Sequence, residues 1–265
     1  MLTRILTAVI GLIVFIGILL LGDTAFQIAI GLVILCMIYE LFGAITKSRA
    51  VKTLGFLNGI ILMAGIYFKG IEIALISVIL LNMIFLIFLH GKIKYSEILS
   101  GTTMSVFVVL FMSYILRLKT EMGISAMALV FIISWGSDTA AYFCGTFFGK
   151  HKLIEKVSPK KTIEGSVGAV VITGLLCMGY LYIMGRFDNA FNSPDASMYI
   201  NIAITGVVVS ALSQFGDLAA SAIKRDCNIK DYGSVFPGHG GFMDRFDSVI
   251  FIAPVVYYLC KFIIM

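Results

Sequence analysis

Between Asp217 and Asp247 the chain interleaves carboxylates and cations among glycines. Lys224-Arg225 is followed, four residues on, by Lys230-Asp231; then come Pro237, His239-Gly240-Gly241 and Asp244-Arg245-Phe246-Asp247. Asp217, Asp244 and Asp247 offer hard oxygen donors, with no cysteine pair or histidine pair nearby. That set suits Mg²⁺, which takes one or two carboxylates and completes its shell with water and substrate phosphates. It does not suit zinc. Lys224, Arg225, Lys230 and Arg245 can neutralise phosphates, the arginines through a bidentate fork. The turn around Pro237-Gly238 and Gly240-Gly241 allows close backbone approach to a ligand. His239 can hydrogen-bond a phosphate or simply brace that turn. The bland reading is that these charges pair at a surface. Surface pairs contribute only ~0–1 kcal/mol, so stability gives little reason to crowd them beside two glycine turns. Metal and phosphates bound together, as in a nucleotide–metal site, account better for the interleaving.

Two upstream blocks could join this chemistry. In Ser134–Leu153 a carboxylate, Asp138, sits inside an apolar run, with Ser134, Asp138 and Tyr142 on one helix face and Gly145 and Gly149 extending it. A carboxylate at the centre of a membrane helix costs ~2.5–3.5 kcal/mol on insertion scales, so Asp138 needs a partner or a wet cavity. In "SPKKTIEG", Ser158, Lys160, Lys161 and Thr162 precede a helix start. Two cations, hydroxyls and the free N–H groups of a helix N-terminus all favour phosphate. Lysine pairs beside a membrane helix also arise merely from the charge bias of cytoplasmic loops, or meet anionic lipid.

The elements that position these residues are apolar. The chain has 265 residues, 60% hydrophobic and 13% charged. That charged share is about half the ~25% of soluble domains, so the chain belongs to the membrane class. Nine apolar runs are long enough to read as spanning helices: Ile5–Leu21, Ala25–Ile45, Leu54–Phe68, Ile73–Leu89, Thr102–Leu116, Ile124–Phe148, Ser166–Met184, Tyr199–Ala222 and Val249–Ile264. No small-residue cleavage site follows the first, which reads as a retained helix. The fold expected is all-α and polytopic. It is one membrane domain, with N-terminal helices over 1–123 and a catalytic region with a polar cleft over 124–265. Placing the N-terminus inside puts 15 of the 20 Lys and Arg residues on the cytoplasmic side and leaves Lys69, Arg117, Lys119, Arg186 and Lys261 outside. Cytoplasmic loops carry such an excess. The stripe Ser210, Gln214, Asp217, Ser221, Lys224, at steps of 4, 3, 4 and 3, makes one polar face on an apolar helix. Cys36, Cys144, Cys177, Cys227 and Cys260 form no CxxC pair and read as small apolar residues. His90 and His151 read as loop residues at the membrane edge.

The segment Ser221–Asp247 resembles the signature of the phosphatidate cytidylyltransferases, also called CDP-diglyceride synthases. That signature runs Ser, any, hydrophobic, Lys-Arg, four residues, Lys-Asp, then Pro-x-His-Gly-Gly, hydrophobic, any, Asp-Arg, hydrophobic, Asp. Here it is met by Ser221, Ile223, Lys224-Arg225, Lys230-Asp231, Pro237, His239-Gly240-Gly241, Phe242, Asp244-Arg245, Phe246 and Asp247. "SDTAAY", "FGKHKL" and "SPKKTIEG" resemble the family too, in the same order, so motif coverage runs from Ser134 to Ser248. Ala220 departs from it, standing where many members carry Glu.

The resemblance implies that phosphatidate and CTP react, with one or two Mg²⁺ ions, to give CDP-diacylglycerol and pyrophosphate for phospholipid synthesis. It also implies a homodimer; the excess of basic residues puts the site on the cytoplasmic side of the cell's inner membrane, and no nucleic-acid partner is expected. The assignments expected are Asp217 and Asp244 as metal ligands, with Asp247 as a further ligand. Lys224, Arg225 and Arg245 meet phosphates. Ser158, Lys160, Lys161 and Thr162 face lipid phosphate or triphosphate, and Asp138 lines the cavity. Ser221, His239, Gly240 and Gly241 contact substrate. A CTP-dependent lipid kinase of the polyprenol type would instead release CDP. A transporter would use Asp138 and Asp217 as ion sites, but the polar residues cluster at one end of the spans.

Overall fold

The computed structural model describes residues 2–187, 194–238 and 240–264. They fold as helices α1 (Leu2–Leu20), α2 (Asp23–Ile45), α3 (Arg49–Tyr67), α4 (Ile71–Phe88), α5 (Tyr95–Phe148), α6 (Ile163–Met184), α7 (Ala196–Asp226) and α8 (Met243–Ile264). Helices satisfy every backbone polar group within one segment, which an apolar solvent demands. Six of them are long and apolar enough to cross a membrane: α2 to α7. The chain is a polytopic, all-α membrane protein. Each of the nine apolar runs lies on a helix; α5, 54 residues long, carries two, divided where Gly123 takes φ 91°. That conformation is open to glycine and strained for other residues.

The chain forms two compact units that interleave in sequence. The first comprises residues 1–113 and 226–245, the second residues 114–225 and 246–265. In the first unit α2 packs on α3 and α3 on α4. The Phe42 ring lies where a Cβ on Gly55 or Gly101 would stand, 2.3 and 2.7 Å away. Buried Asn58 and Asn82 hydrogen-bond each other, the better bond being 3.0 Å, and Thr102 donates to Asn82 at 2.7 Å. Such polar contacts hold helices together where no hydrophobic force acts between them.

In the second unit the later arm of α5, α6 and α7 meet through small residues. A Cβ on Gly206 would sit 3.0 Å from both Gly174 Cα and Thr173 O, so α6 and α7 touch backbone to backbone. The Ser137 and Ser210 hydroxyls share a 2.9 Å hydrogen bond, and Ser166 donates to Gln214. The polar stripe read on α7 therefore faces neighbouring helices at its start. The segment before α6 is an antiparallel hairpin of β1 (Lys152–Ile154) and β2 (Ser158–Thr162). A residue before proline favours an extended or turn conformation, as Ser158 does before Pro159, but nothing in the local sequence marks the partner strand.

Replacing Gly206 with Val should force α6 and α7 apart and destabilise the protein by about 1–3 kcal/mol, the usual cost of overpacking. A lowered thermal midpoint in detergent would show it; an unchanged midpoint would contradict the close approach.

Candidate functional site

The hairpin is held at both ends. Glu164, in the first turn of α6, accepts from the amides of Lys150 (3.0 Å) and His151 (3.2 Å) through Oε2, and its Oε1 lies 2.6 Å from His151 Nδ1. Thr162 caps α6, its hydroxyl accepting from Gly165 N at 3.2 Å. Gly145 and Gly149, which extend the Asp138 face of α5, are covered by Thr162: a Cβ on either would come within 2.9 Å of its Oγ1. On its other side the hairpin meets α7. Arg225 Nε reaches Val157 O at 3.4 Å, and the Lys161 ammonium forms an ion pair with Asp217.

That ion pair joins two blocks lying 56 positions apart in sequence. Lys161 Nζ is sealed from solvent and, apart from Asp217, meets no acceptor among the described residues. An ammonium carries three donors. Asp217 thus pairs with Lys161, while Asp247 of α8 feels the charges of Asp217, Lys224 and Asp138. Ser221 is half-buried one turn beyond Asp217, Lys160 and Arg225 are exposed, and Ser158 is half-buried on β2. Asp138 is exposed on α5, and Ala220 is buried.

In the first unit the signature loop is organised by two buried carboxylates. Asp244 Oδ2 accepts from Tyr232 N at 2.8 Å and Gly241 N at 3.1 Å. Glu40, from α2, accepts from Phe242 N (3.0 Å) through Oε1 and from Met243 N (2.8 Å) through Oε2. Gly240 has φ 80°, and a Cβ there would lie 2.7 Å from Asp244 Oδ2. A Cβ on Gly241 would lie 2.2 Å from Glu40 Oε1. The glycines read as admitting a ligand thus admit these carboxylates. Asp244, read as a metal ligand, also ties the loop together. Arg245 is exposed, and His239 lies outside the described residues.

Among the described residues no group of three or more His, Cys, Asp or Glu side chains is assembled for a metal. Asp217 and Asp247 lie within electrostatic range of each other, and a carboxylate pair is what Mg²⁺ uses when substrate phosphates complete its shell. Cysteine chemistry has no support. All five thiols are free, and burial, then the Asp226 carboxylate, hold the Cys227 thiol above its ordinary range, leaving it protonated.

The sequence profile of the cytidylyltransferase family matches residues 2–263. The chain belongs to that family. Its similar relatives include the phosphatidate cytidylyltransferase of Bacillus subtilis strain 168, 30% identical over 97% of this chain and 96% of the relative. Proteins of the same name from Staphylococcus haemolyticus and Staphylococcus aureus strain COL are 30% and 31% identical, each covering 96% of both chains. The chain is thus an enzyme of the nucleotidyltransferase type, and the signature read in Ser221–Asp247 marks its membership.

Two residues that organise this cytidylyltransferase were not singled out in its sequence. Glu164 lies inside "SPKKTIEG", yet only the cations and hydroxyls of that block suggested chemistry. Glu40 stands in the apolar run Ala25–Ile45, and that same anomaly, a carboxylate among apolar residues, is what drew attention to Asp138. Replacing Glu164 with Ala should release the hairpin from α6. Trypsin should then cleave several-fold faster at Lys150, Lys152 or Lys156, read by mass spectrometry; an unchanged cleavage rate would contradict the staple.

Proposed function

We infer that the protein transfers the cytidylyl group of CTP to phosphatidate, giving CDP-diacylglycerol and pyrophosphate. The supporting observation is the Lys161 ammonium, short of acceptors, paired with the Asp217 carboxylate, which in turn lies within electrostatic range of Asp247. Extra carboxylates and spare N–H donors together suit a phosphate that arrives with its own metal.

In the reaction an oxygen of the phosphatidate monoester attacks the α-phosphorus of CTP. The bond from that phosphorus to the bridging oxygen breaks, and pyrophosphate leaves with the electron pair. The monoester's second pKa is ~6, so the nucleophile is already largely dianionic at neutral pH and needs no strong general base. The difficulty is bringing two anions together in line, which calls for preorganised positive charge. Lys161, held by its ion pair with Asp217, keeps spare N–H donors for a phosphate. Lys224 and Arg225, in the last turn of α7, add charge at the same end of that helix. Lys160, exposed on β2, can meet an anion at the rim. Ser158 and Ser221 offer hydroxyls nearby, while the Thr162 hydroxyl is committed to capping α6. Asp217 and Asp247 would hold Mg²⁺, which when bound would offset charge on the phosphates undergoing transfer. Asp138 adds negative charge close to that pair. The signature residues Gly240, Gly241 and Arg245, with His239, serve substrate, and Asp244 would be a further metal ligand, as the family resemblance implies.

The 15-to-5 division of basic residues supports a site facing the cytoplasm, where CTP is available, in a cell's inner membrane. The resemblance also implies a homodimer.

Purified protein in detergent, given phosphatidate, Mg²⁺ and CTP labelled at either the α- or the γ-phosphate, should move only the α-label into lipid and release pyrophosphate. Transfer of the γ-label would identify a lipid kinase and overturn this reading. Asp217→Asn should lower turnover on the order of 10²–10³-fold, the scale seen when a group stabilising transition-state charge is removed.

A further inference from the structure

The α2 helix contributes one buried carboxylate to the signature loop, and we propose that Glu40 is a positioning residue for the cytidylyl transfer. The proposal rests on the reading of the reaction given above. Glu40 is 5% exposed and 202 positions before Phe242. Both of its oxygens are used, one on each of two successive amides, Phe242 and Met243, at the start of α8. Asp244 holds the next pair, Tyr232 and Gly241. Four amides of one loop are therefore divided between two carboxylates.

The division determines how the loop is set. Amides at a helix start bind anions. With Phe242 and Met243 taken by Glu40, those two donors are withdrawn from substrate phosphate. Gly233 and Gly241 pack directly on Glu40: a Cβ would fall 2.4 Å and 2.2 Å from Oε1. Gly241 has no left-handed backbone to explain its identity: among the described residues of this loop, positive φ values fall on Gly238, Gly240 and Asn228. The close approach of Glu40 supplies the reason. The loop geometry that presents Asp244 is thereby fixed from outside the loop, by a residue absent from the signature.

The test uses the purified protein in detergent. Glutamine keeps the shape of Glu40 but turns an NH₂ toward an amide. Glu40→Gln should reduce kcat/KM for CTP about 10–100-fold, the range found when groups that orient site residues are removed. Amide hydrogen exchange over 240–244 should quicken, while the monodisperse fraction stays that of wild type. Gly241→Ala should impair turnover by displacing Glu40, and shortening the carboxylate in Glu40→Asp/Gly241→Ala should restore part of it. That rescue is a coupling that independent effects of the two residues would not produce, and the kcat/KM of folded Glu40→Gln separates positioning from packing. If Glu40→Gln does not fold, the Gly241 pair decides: effects of the two changes that simply add would overturn the proposal. Wild-type kcat/KM and exchange in folded Glu40→Gln would overturn it too. Absence of CDP-lipid with the wild-type protein would instead overturn the reading of the reaction, and this proposal with it.

Discussion

The ion pair between Lys161 and Asp217 is the contact on which the candidate site depends. Before it forms, Lys161 belongs to a short hairpin and Asp217 to a long apolar helix. An ammonium sealed from water costs free energy unless paired, and a carboxylate on a largely apolar helix does likewise. Each meets the other's need, and so the hairpin is fixed to α7. The pair nevertheless leaves two donors of the ammonium over, and Asp247 stands within electrostatic range of Asp217, Lys224 and Asp138. Spare donors and carboxyls so gathered suit a ligand that is itself both anionic and metal-bearing.

Backbone proximity is the condition that makes such a site possible in a membrane. Gly206 against Gly174 brings α6 beside α7, and Gly165 lies 2.8 Å, by its missing Cβ, from Ala141 O of α5. These contacts set α7's polar stripe against partners: Ser210 on Ser137, Gln214 on Ser166, Asp217 on Lys161. In the other unit the same economy of side chains operates around Gly233, Gly240 and Gly241, where the space left by glycine is filled by the carboxylates of Glu40 and Asp244. Glycine in this protein makes room chiefly for the protein's own groups.

Much of this was readable in the residues. Hydropathy located the helices, because an apolar solvent leaves the backbone few alternatives, and spacing identified the α7 stripe as a face. The signature identified the family, since it constrains side chains and intervals together. What could not be read depends on pairing at a distance. Glu164 staples a hairpin formed by residues before it, Glu40 reaches a loop some 200 residues away, and the β1 strand is defined only by its partner. Gly123 was one glycine among 26, and its positive φ divides α5 where composition gave only a soft boundary. The close approach at Gly145 and Gly149 was visible, but whether ligand or protein would fill it was not.

The measurement that bears most directly on the central claim compares Lys161→Met, Asp217→Leu and the double variant by turnover per folded molecule. A buried ion pair whose members serve only each other can often be exchanged for apolar residues without loss. If Lys161 and Asp217 act on phosphate and metal, the double variant will be at least as inactive as either single one, on the order of 10²-fold or more below wild type. A double variant restored to wild-type turnover would show the pair to be a structural clasp and would contradict this account of the site.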